Sequence, residues 1–341
     1  MDLDTLHNGR QTIVFDRHPV ILAHSAIAGK KESEGPLAGF FDHTETDTRF
    51  GQKTWEKAET RLQELALDTA RSKAQLQYSD LDVLFAGDLL NQCISSAFAI
   101  RNTRIPFLGL YGACSTMAES LTLAAAAVNA GYAARAAALT SSHFATAERQ
   151  YRFPLGYGGQ RTPTAQWTVT GSGCCIVASG GRGPYLNCAT IGRIEDYGIK
   201  DANNMGAAMA PAAYSTLRAH FADTGLRPQD YDLIVTGDLG TLGSTIVTDL
   251  FQRDGVEFGA NYRDCGVLIY DLKRQDVHAG GSGCGCGASV LCGYLLRQLR
   301  EKKINSLLFC ATGALMSPVS TWQGESIPAI CHAISISNER R

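Results

Sequence analysis

Cys114 stands in IPFLGLYGACSTMAESLTLAAAAVNAG, where a buried strand (Ile105 to Leu110) gives way to a glycine turn and then to a long helix starting at Ser115 or Thr116. Glycine at 112 permits a sharp turn, and the first N–H groups of a helix have no intrahelical partners. A cysteine placed there, with Ser115 beside it, has the setting of an anion site or of a nucleophilic thiolate at a pocket wall. A buried packing cysteine is the ordinary alternative, and the turn argues against it.

Other chemistry-bearing residues are spread along the chain. His143 directly follows the next strand, in ALTSSHFATAER, where it could donate to a ligand carboxylate, pair with Cys114 or serve structure alone. His332, in PAICHAISI, lies in an apolar run and reads more readily as a satisfied core histidine. Asp88 and Asp238 each follow a glycine after a strand, with Asn91 close to the first. They either bring carboxylates to the pocket from two sides or cap the next helix, and capping weighs more at Asp238.

Cys284 and Cys286 form a C-x-C in GSGCGCGAS, too close for an ordinary local disulfide and without zinc's four-ligand spacing. Pocket lining is their simplest role, and the glycines around them could turn backbone N–H groups toward an anion. A nucleotide loop is the rival reading, but the strand before it and the acidic residue about 20 positions after it are missing. Arg149, Arg152 and Arg161, in RQYRFPLGYGGQRTPTAQW, are either bidentate donors for a carboxylate ligand or solvent-exposed loop charge. No EF-hand-like loop exists, so calcium enters only with a chelating ligand; neither a protein-only metal site nor a cofactor is expected.

The elements that must position these residues alternate between helix and strand. Trp55, Ala58, Leu62, Leu65 and Thr69 share one helical face before a strand at Leu81 to Ala86. SDLDVLFAGDLL (Ser79 to Leu90) and QDYDLIVTGDLG (Gln229 to Gly240) superpose without a gap, 150 positions apart. Gly109, Cys114 and Thr140 meet Gly281, Cys286 and Thr312, 172 positions on, so one insertion separates the two registers. The duplication predicts an α/β protein of two similar halves, 1–185 and 186–341, packed about a pseudo-twofold axis with a shared site. The stretch from Gln150 to Tyr185 falls between the copies, and residues 1–50 have no assigned place.

Composition limits the function. With 45% hydrophobic and 19% charged residues and a formal net charge of −2, the chain can bury a large core and has no basic surplus for a phosphate backbone, so nucleic acid is not an expected partner. The start lacks a signal peptide's apolar run, and the most apolar stretch, Leu121 to Leu139, is broken by Asn129 and Arg135; no transmembrane segment is expected. Eleven cysteines sit mainly inside apolar runs, as buried reduced thiols of a cytosolic compartment do.

A cysteine at a strand-to-helix turn in the first of two α/β halves resembles the thiolase and ketoacyl-synthase superfamily. The strings EGPL, FAGDLLNQ, IPFLGLYGACST, SSHFATAE, YGGQ, WTVTG, MGAAMAPAA, VTGDLG, GGSGCGC and ATGALMSP, in this order, resemble the stage V sporulation protein AD family of endospore formers nearly end to end. The resemblance implies a thiolase-like fold in a layered α/β/α/β/α arrangement. It also implies binding of dipicolinic acid (pyridine-2,6-dicarboxylate), free or as its calcium chelate, for uptake into the developing spore. Membrane subunits of a spore uptake channel are the implied partners, at the cytoplasmic side of the forespore inner membrane, and a homodimer is the implied assembly.

A condensing enzyme needs, besides its thiolate, two groups that hold the thioester oxygen and pass protons. By the duplication, the synthase-type His falls at Gly237 to Asp238, the Asn near Cys284 and a thiolase-type His near Gly281; none of these residues suits that work. The expectation is therefore a binding protein, not an enzyme, with Cys114, Ser115, His143, Asp88, Asn91, Cys284, Cys286, Asp238 and His332 as candidate ligand-binding residues. The alternatives are an acyl-CoA enzyme forming a thioester on Cys114, with His143 as base, and a structural scaffold of the membrane complex.

Overall fold

The structure is a computed structural model that describes residues 7–151, 160–258 and 261–340. Thr54 opens the first long helix, α1 (Trp55–Lys73), by accepting a hydrogen bond from the Lys57 N–H. Of the face read from the sequence, Ala58 and Leu62 are buried and Trp55, Leu65 and Thr69 only half-buried; Glu59, Gln63, Ala66, Leu67 and Ala70 complete the buried side.

Ten strands make the framework. The first five are β1 (Val20–Ala28), β2 (Val83–Gly87), β3 (Phe107–Gly109), β4 (Arg135–Ser142) and β5 (Gly171–Ala178). The second five are β6 (Tyr185–Ile191), β7 (Leu233–Thr236), β8 (Tyr262–Asp264), β9 (Ser306–Ala314) and β10 (Ala329–Ser337). In space they run β3-β2-β4-β5-β1 and β8-β7-β9-β10-β6, which is one order, third-second-fourth-fifth-first, used twice. Directions repeat as well: β2 is parallel to β3 and β4, and β5 is antiparallel to β4 and β1; β7, β8, β9, β10 and β6 copy this. The two sheets touch where Tyr185 of β6 pairs with Val20 of β1.

The stretches left unplaced by the sequence motifs supply part of this frame. β1 lies within residues 1–50 and β5 within Gln150 to Tyr185, so both belong to the first sheet rather than to a decoration or a connection. The short strand Thr12–Val14 crosses to pair with β6 of the second sheet.

Helices fill three layers. α2 (Thr116–Asn129) packs on β4 and β2 and also on β9 and β10 of the other sheet. Helix α3 (Phe144–Tyr151) follows β4; α4 (Met205–Thr224) and α5 (Gly240–Arg253) cover the outer side of the second sheet, as α1 covers the first. α6 (Cys284–Ser289) continues through a π-helical turn (Val290–Leu295) into α7 (Leu296–Arg300) and packs on β5, β4 and β1. The middle layer is thus α2 with α6–α7, and its core joins Met117 and Leu121 to Leu291, Leu295 and Phe309. Burying side chains of this size contributes about 1.5–3 kcal/mol each. The result is the layered α/β/α/β/α architecture.

Candidate functional site

The Cys114 turn is held from the opposite half of the molecule. Ala113, the residue before it, has φ of 50°, a left-handed conformation costly for a side chain with a Cβ. Gly313 of β9 backs the turn so closely that a Cβ there would lie 2.2 Å from Gly112 O. The arrangement is reciprocal: the Gly283–Gly285 turn lies on β4 of the first half, where the Gly285 N–H donates to Ser142 Oγ at 3.1 Å.

This reciprocity corrects the register read from the sequence. Gly283, at φ 99°, matches Ala113 as the left-handed residue, and the Gly285 N–H matches the Ser115 N–H beside Gly313. The pseudo-symmetric mate of Cys114 is therefore Cys284, not Cys286. Inserted glycines let the second turn slide by two positions without a change in its packing partners.

Cys114 borders a cleft of about 40 Å³, the room of about three waters. Leu89, Tyr111, Tyr151, Met205, Ala314 and Met316 give its apolar and aromatic walls, and Glu148, Thr168 and Ser282 its polar ones. The Tyr111 and Tyr151 hydroxyls are 2.5 Å apart, and Tyr151 Oη donates to Leu89 O at 2.7 Å. Burial pushes the Tyr111 phenol up to about 12. Glu148 Oε1 accepts from Thr168 Oγ1 at 3.0 Å.

Behind the cleft, Cys114 is paired with Asp238. That carboxylate also accepts from the Gly283 N–H at 2.8 Å, from Thr312 Oγ1 at 2.9 Å and from Ser282 Oγ at 3.2 Å. Burial pushes Asp238 up to about 6 in spite of these donors. Burial, and after it the Asp238 carboxylate, raises the Cys114 thiol well above its usual range. Burial and the Asp238 carboxylate thus favour the thiol form of Cys114 over the thiolate that a helix N-terminus would support. Capping by Asp238 is overturned, because Asp264 takes that work, accepting from the Leu239 and Gly240 N–H groups at 2.8 and 3.0 Å.

Most other candidates are turned away from the cleft. His143 is buried with both ring nitrogens occupied: Nε2 donates to Thr48 O at 2.8 Å and Nδ1 accepts from the Ala145 N–H at 3.1 Å. Burial lowers its pKa, and it is a structural residue that reaches neither Cys114 nor the cleft. Ser115 Oγ donates back to Gly112 O at 2.7 Å. Asp88 is buried and caps the helix Ile94–Ile100, accepting from the Ser96 N–H at 2.8 Å and Ser96 Oγ at 2.6 Å. Asn91 lines a separate groove with Arg149 and Gln150.

Cys284 lies behind Cys114 and donates to Ser141 O at 2.9 Å, and Cys286 sits in the core 3.5 Å from Gly237 O. His332 accepts from the Gly192 N–H at 3.3 Å, away from the cleft. The glycine-rich turn is no anion cradle, since its N–H groups at 283 and 285 are given to Asp238 and Ser142. Arg149 pairs with Glu56, and Arg161 stacks on Trp167 and donates to Asp276 O; neither lines the cleft. Arg152 lies outside the described residues.

The sequence motifs brought Cys114 and Asp238 together and missed Tyr111, Glu148, Tyr151, Met205 and Met316. Ala147, Glu148 and Tyr151 recur at helical spacing along α3, a signal that was available. The two methionines reach the cleft only through the packing of the second half. Among the described residues no group of three His, Cys, Asp or Glu side chains is placed to hold a metal ion, and no helix is long and apolar enough to cross a membrane.

Strand order, layers and the cysteine turn define a thiolase-fold protein, and solved structures agree. The chain is similar to human mitochondrial 3-ketoacyl-CoA thiolase in complex with CoA (12% identity, TM-score 0.60, 95% of this chain and 99% of that one). It is similar to cerulenin-bound OleA of Xanthomonas campestris (14%, 0.61, 95% and 100%) and to 3-oxoacyl-[acyl-carrier-protein] synthase III of Aquifex aeolicus (12%, 0.57, 94% and 99%). The chain belongs to the stage V sporulation protein AD family, whose profile matches residues 9–337. Stage V sporulation protein AD of Bacillus subtilis strain 168 is 47% identical over 327 residues, 96% of each chain.

Proposed function

We propose that this sporulation protein binds dipicolinate in the Cys114 cleft and hands it to membrane partners for uptake into the developing spore, without condensing acyl groups. The observation that carries this reading is the Cys114–Asp238 pair. A thiol kept protonated by burial and, after it, by the neighbouring Asp238 carboxylate is a poor nucleophile, and His143, the candidate base, has both nitrogens engaged. The cleft then acts as a seat for a flat molecule between the Tyr111 and Tyr151 rings and the Met205 and Met316 side chains.

Charge restricts the form of the ligand. Among the described residues that line the cleft there is no Lys, Arg or His, and Glu148 is one of them. A dianion entering beside that carboxylate needs its charge offset, by protons or by calcium. In this reading one edge of the ring enters the small cleft and the rest stays at its mouth.

Isothermal titration with dipicolinate, once with calcium and once with a chelator, tests this. Saturable binding that is lost in Met316→Trp, which fills the cleft, supports it; no heat in either arm from folded protein overturns it. Intact-mass spectrometry after incubation with acyl-CoA separates the enzymatic alternative, for which a persistent adduct on Cys114 is required.

A homodimer formed through the free edge of β3 is part of the proposal. Leu108, 54% exposed on that strand, and Phe98 and Ile94 on the neighbouring helix form an exposed apolar strip. Sedimentation of Leu108→Asp as a monomer beside a wild-type dimer supports it.

A further inference from the structure

The cleft occupies one end of the strands, and the opposite end carries a charge that the cleft does not use. β4 runs for eight residues from Arg135 to Ser142 beside the site, so the two ends lie about 25 Å apart. At the far end, where the two sheets meet, five loops lie side by side. The Arg17 N–H donates to Asn129 Oδ1 at 2.9 Å, and its guanidinium lies against Gly131. The Ser179 N–H donates to Ala134 O, which joins the loop after α2 to the loop after β5. His18 and Arg340 both pack on the Tyr185 ring. Arg300 donates to Leu22 O, and the Asn338 side chain donates to Leu299 O and Ile304 O.

This continuous surface is basic. Arg17, Arg182, Arg300, Lys302 and Arg340 are exposed on it, and Arg297 and Lys303 share the single carboxylate of Glu301. Its other acids are Asp16 and Glu339, with Asp82 and Asp232 at its edge, where their carboxylates are engaged by the Ala134 and Asn305 N–H groups. Seven of the chain's 31 basic side chains and five of its 33 acidic ones stand here, a local surplus of positive charge on a molecule whose formal net charge is −2. On the loop after α2 is Tyr132, 87% exposed, the most exposed large hydrophobic side chain among the described residues. An exposed aromatic ring with a polar tip, on a loop where Arg17 lies against Gly131, is matched to the headgroup level of an anionic bilayer.

We infer that this basic end, which carries Tyr132, is the face by which the protein lies on an anionic lipid surface, with the Cys114 cleft turned away from the bilayer. The inference rests on the membrane-associated part of the proposed function and is independent of the ligand. Electrostatic attraction of this kind falls off within a Debye length, so only the near loops take part. Each cation at such a surface strengthens partition about fivefold.

Vesicle flotation of the full chain tests it, with phosphatidylcholine alone and with phosphatidylcholine and phosphatidylglycerol in equal parts. Binding is expected to the anionic vesicles only and to weaken as salt is raised. Arg17→Glu/Arg182→Glu/Arg340→Glu should abolish it, and Tyr132→Ala should weaken it severalfold, each with an unchanged thermal midpoint. Lys57→Glu/Arg253→Glu, on the outer helices, should bind as the wild type does. Equal binding to both vesicle types, or unchanged binding by the triple variant, overturns the inference. Binding to immobilised polyglutamate with none to either vesicle assigns the face to an acidic protein and overturns it as well. Calorimetry of dipicolinate on the triple variant keeps the two readings apart: retained ligand binding with lost flotation shows that they fail separately.

Discussion

Asp88 and Asp238 end equivalent strands, each follows a glycine, and they turn in different directions. Asp88 holds its own half together by capping the helix Ile94–Ile100 through Ser96. Asp238 reaches across to Cys114 of the opposite half while also accepting from the glycine turn at 283 and from Thr312 of its own half. What releases Asp238 is Asp264, at the end of β8, which caps α5 in its place. The strand end equivalent to Asp264 in the first half is Gly109, which has no side chain to offer. A duplicated turn thus acquired a separate role in one copy once a neighbouring strand took over its structural work.

The two glycines before these aspartates should break this comparison first. A Cβ at Gly87 would lie 2.1 Å from Leu110 O, a backbone atom that is not free to move, whereas at Gly237 the nearest atom is Ala311 Cα at 3.1 Å. Gly87→Ala is expected to cost about 3 kcal/mol and Gly237→Ala about 1 kcal/mol in urea unfolding. Equal costs would show that the two turns are held alike.

The next largest effect is a pH dependence found on one side. Asp238 titrates near 6 in the folded chain, above the range of an unfolded aspartate at about 4. Folding therefore favours its protonated form: this stabilisation is fully present below about pH 4 and is lost as pH rises through 6. Asp238→Asn should flatten stability between about pH 4 and pH 6 by up to about 3 kcal/mol. The slope is the readout, because the amide also disturbs the four donors at every pH. An unchanged slope would place the titration elsewhere, with Asp264, pushed up to about 7, as the next group to replace.

How far the sequence carried this picture depends on which contacts are local. The Cys114 turn and the Gly-Asp pairs were legible because glycine, strand and helix lie within a dozen residues of one another. The direction of Asp238 was not, since it is set by Asp264, which is remote in sequence and carries no motif. β1 and β5 escaped because neither lies in a sequence motif that repeats between the halves, although they occupy the same places as β6 and β10. His143 looked poised at a strand end, but the carbonyl that holds it belongs to Thr48, in a stretch without any assigned place. Register failed at Cys284 because a run of glycines gives no side-chain pattern to align.

Thiol chemistry sharpens the comparison at its centre. If the Asp238 carboxylate holds Cys114 protonated, Asp238→Ala should make the thiol more acidic and so raise its thiolate fraction and its alkylation by iodoacetamide, about tenfold for every 1.4 kcal/mol of repulsion removed. Asp88→Ala should leave Cys114 unchanged and instead destabilise the fold by about 1–2 kcal/mol through the lost cap. Peptide mass spectrometry after brief labelling reads both variants, and equal labelling would deny the two aspartates their different roles.

The smallest effect lies at the cleft mouth. Tyr151 Oη donates to Leu89 O, so its bond with Tyr111 must use the Tyr111 proton. Tyr111→Phe removes that donor and leaves Tyr151 anchored, at a cost below about 1 kcal/mol. Tyr151→Phe removes both bonds and frees a buried carbonyl, so it should cost more and loosen the wall that α3 presents to Cys114. If the pair serves as a rigid wall for a flat ring, ligand affinity should fall further in Tyr151→Phe than in Tyr111→Phe. The reverse order would mean that the exposed Tyr111 hydroxyl meets the ligand itself.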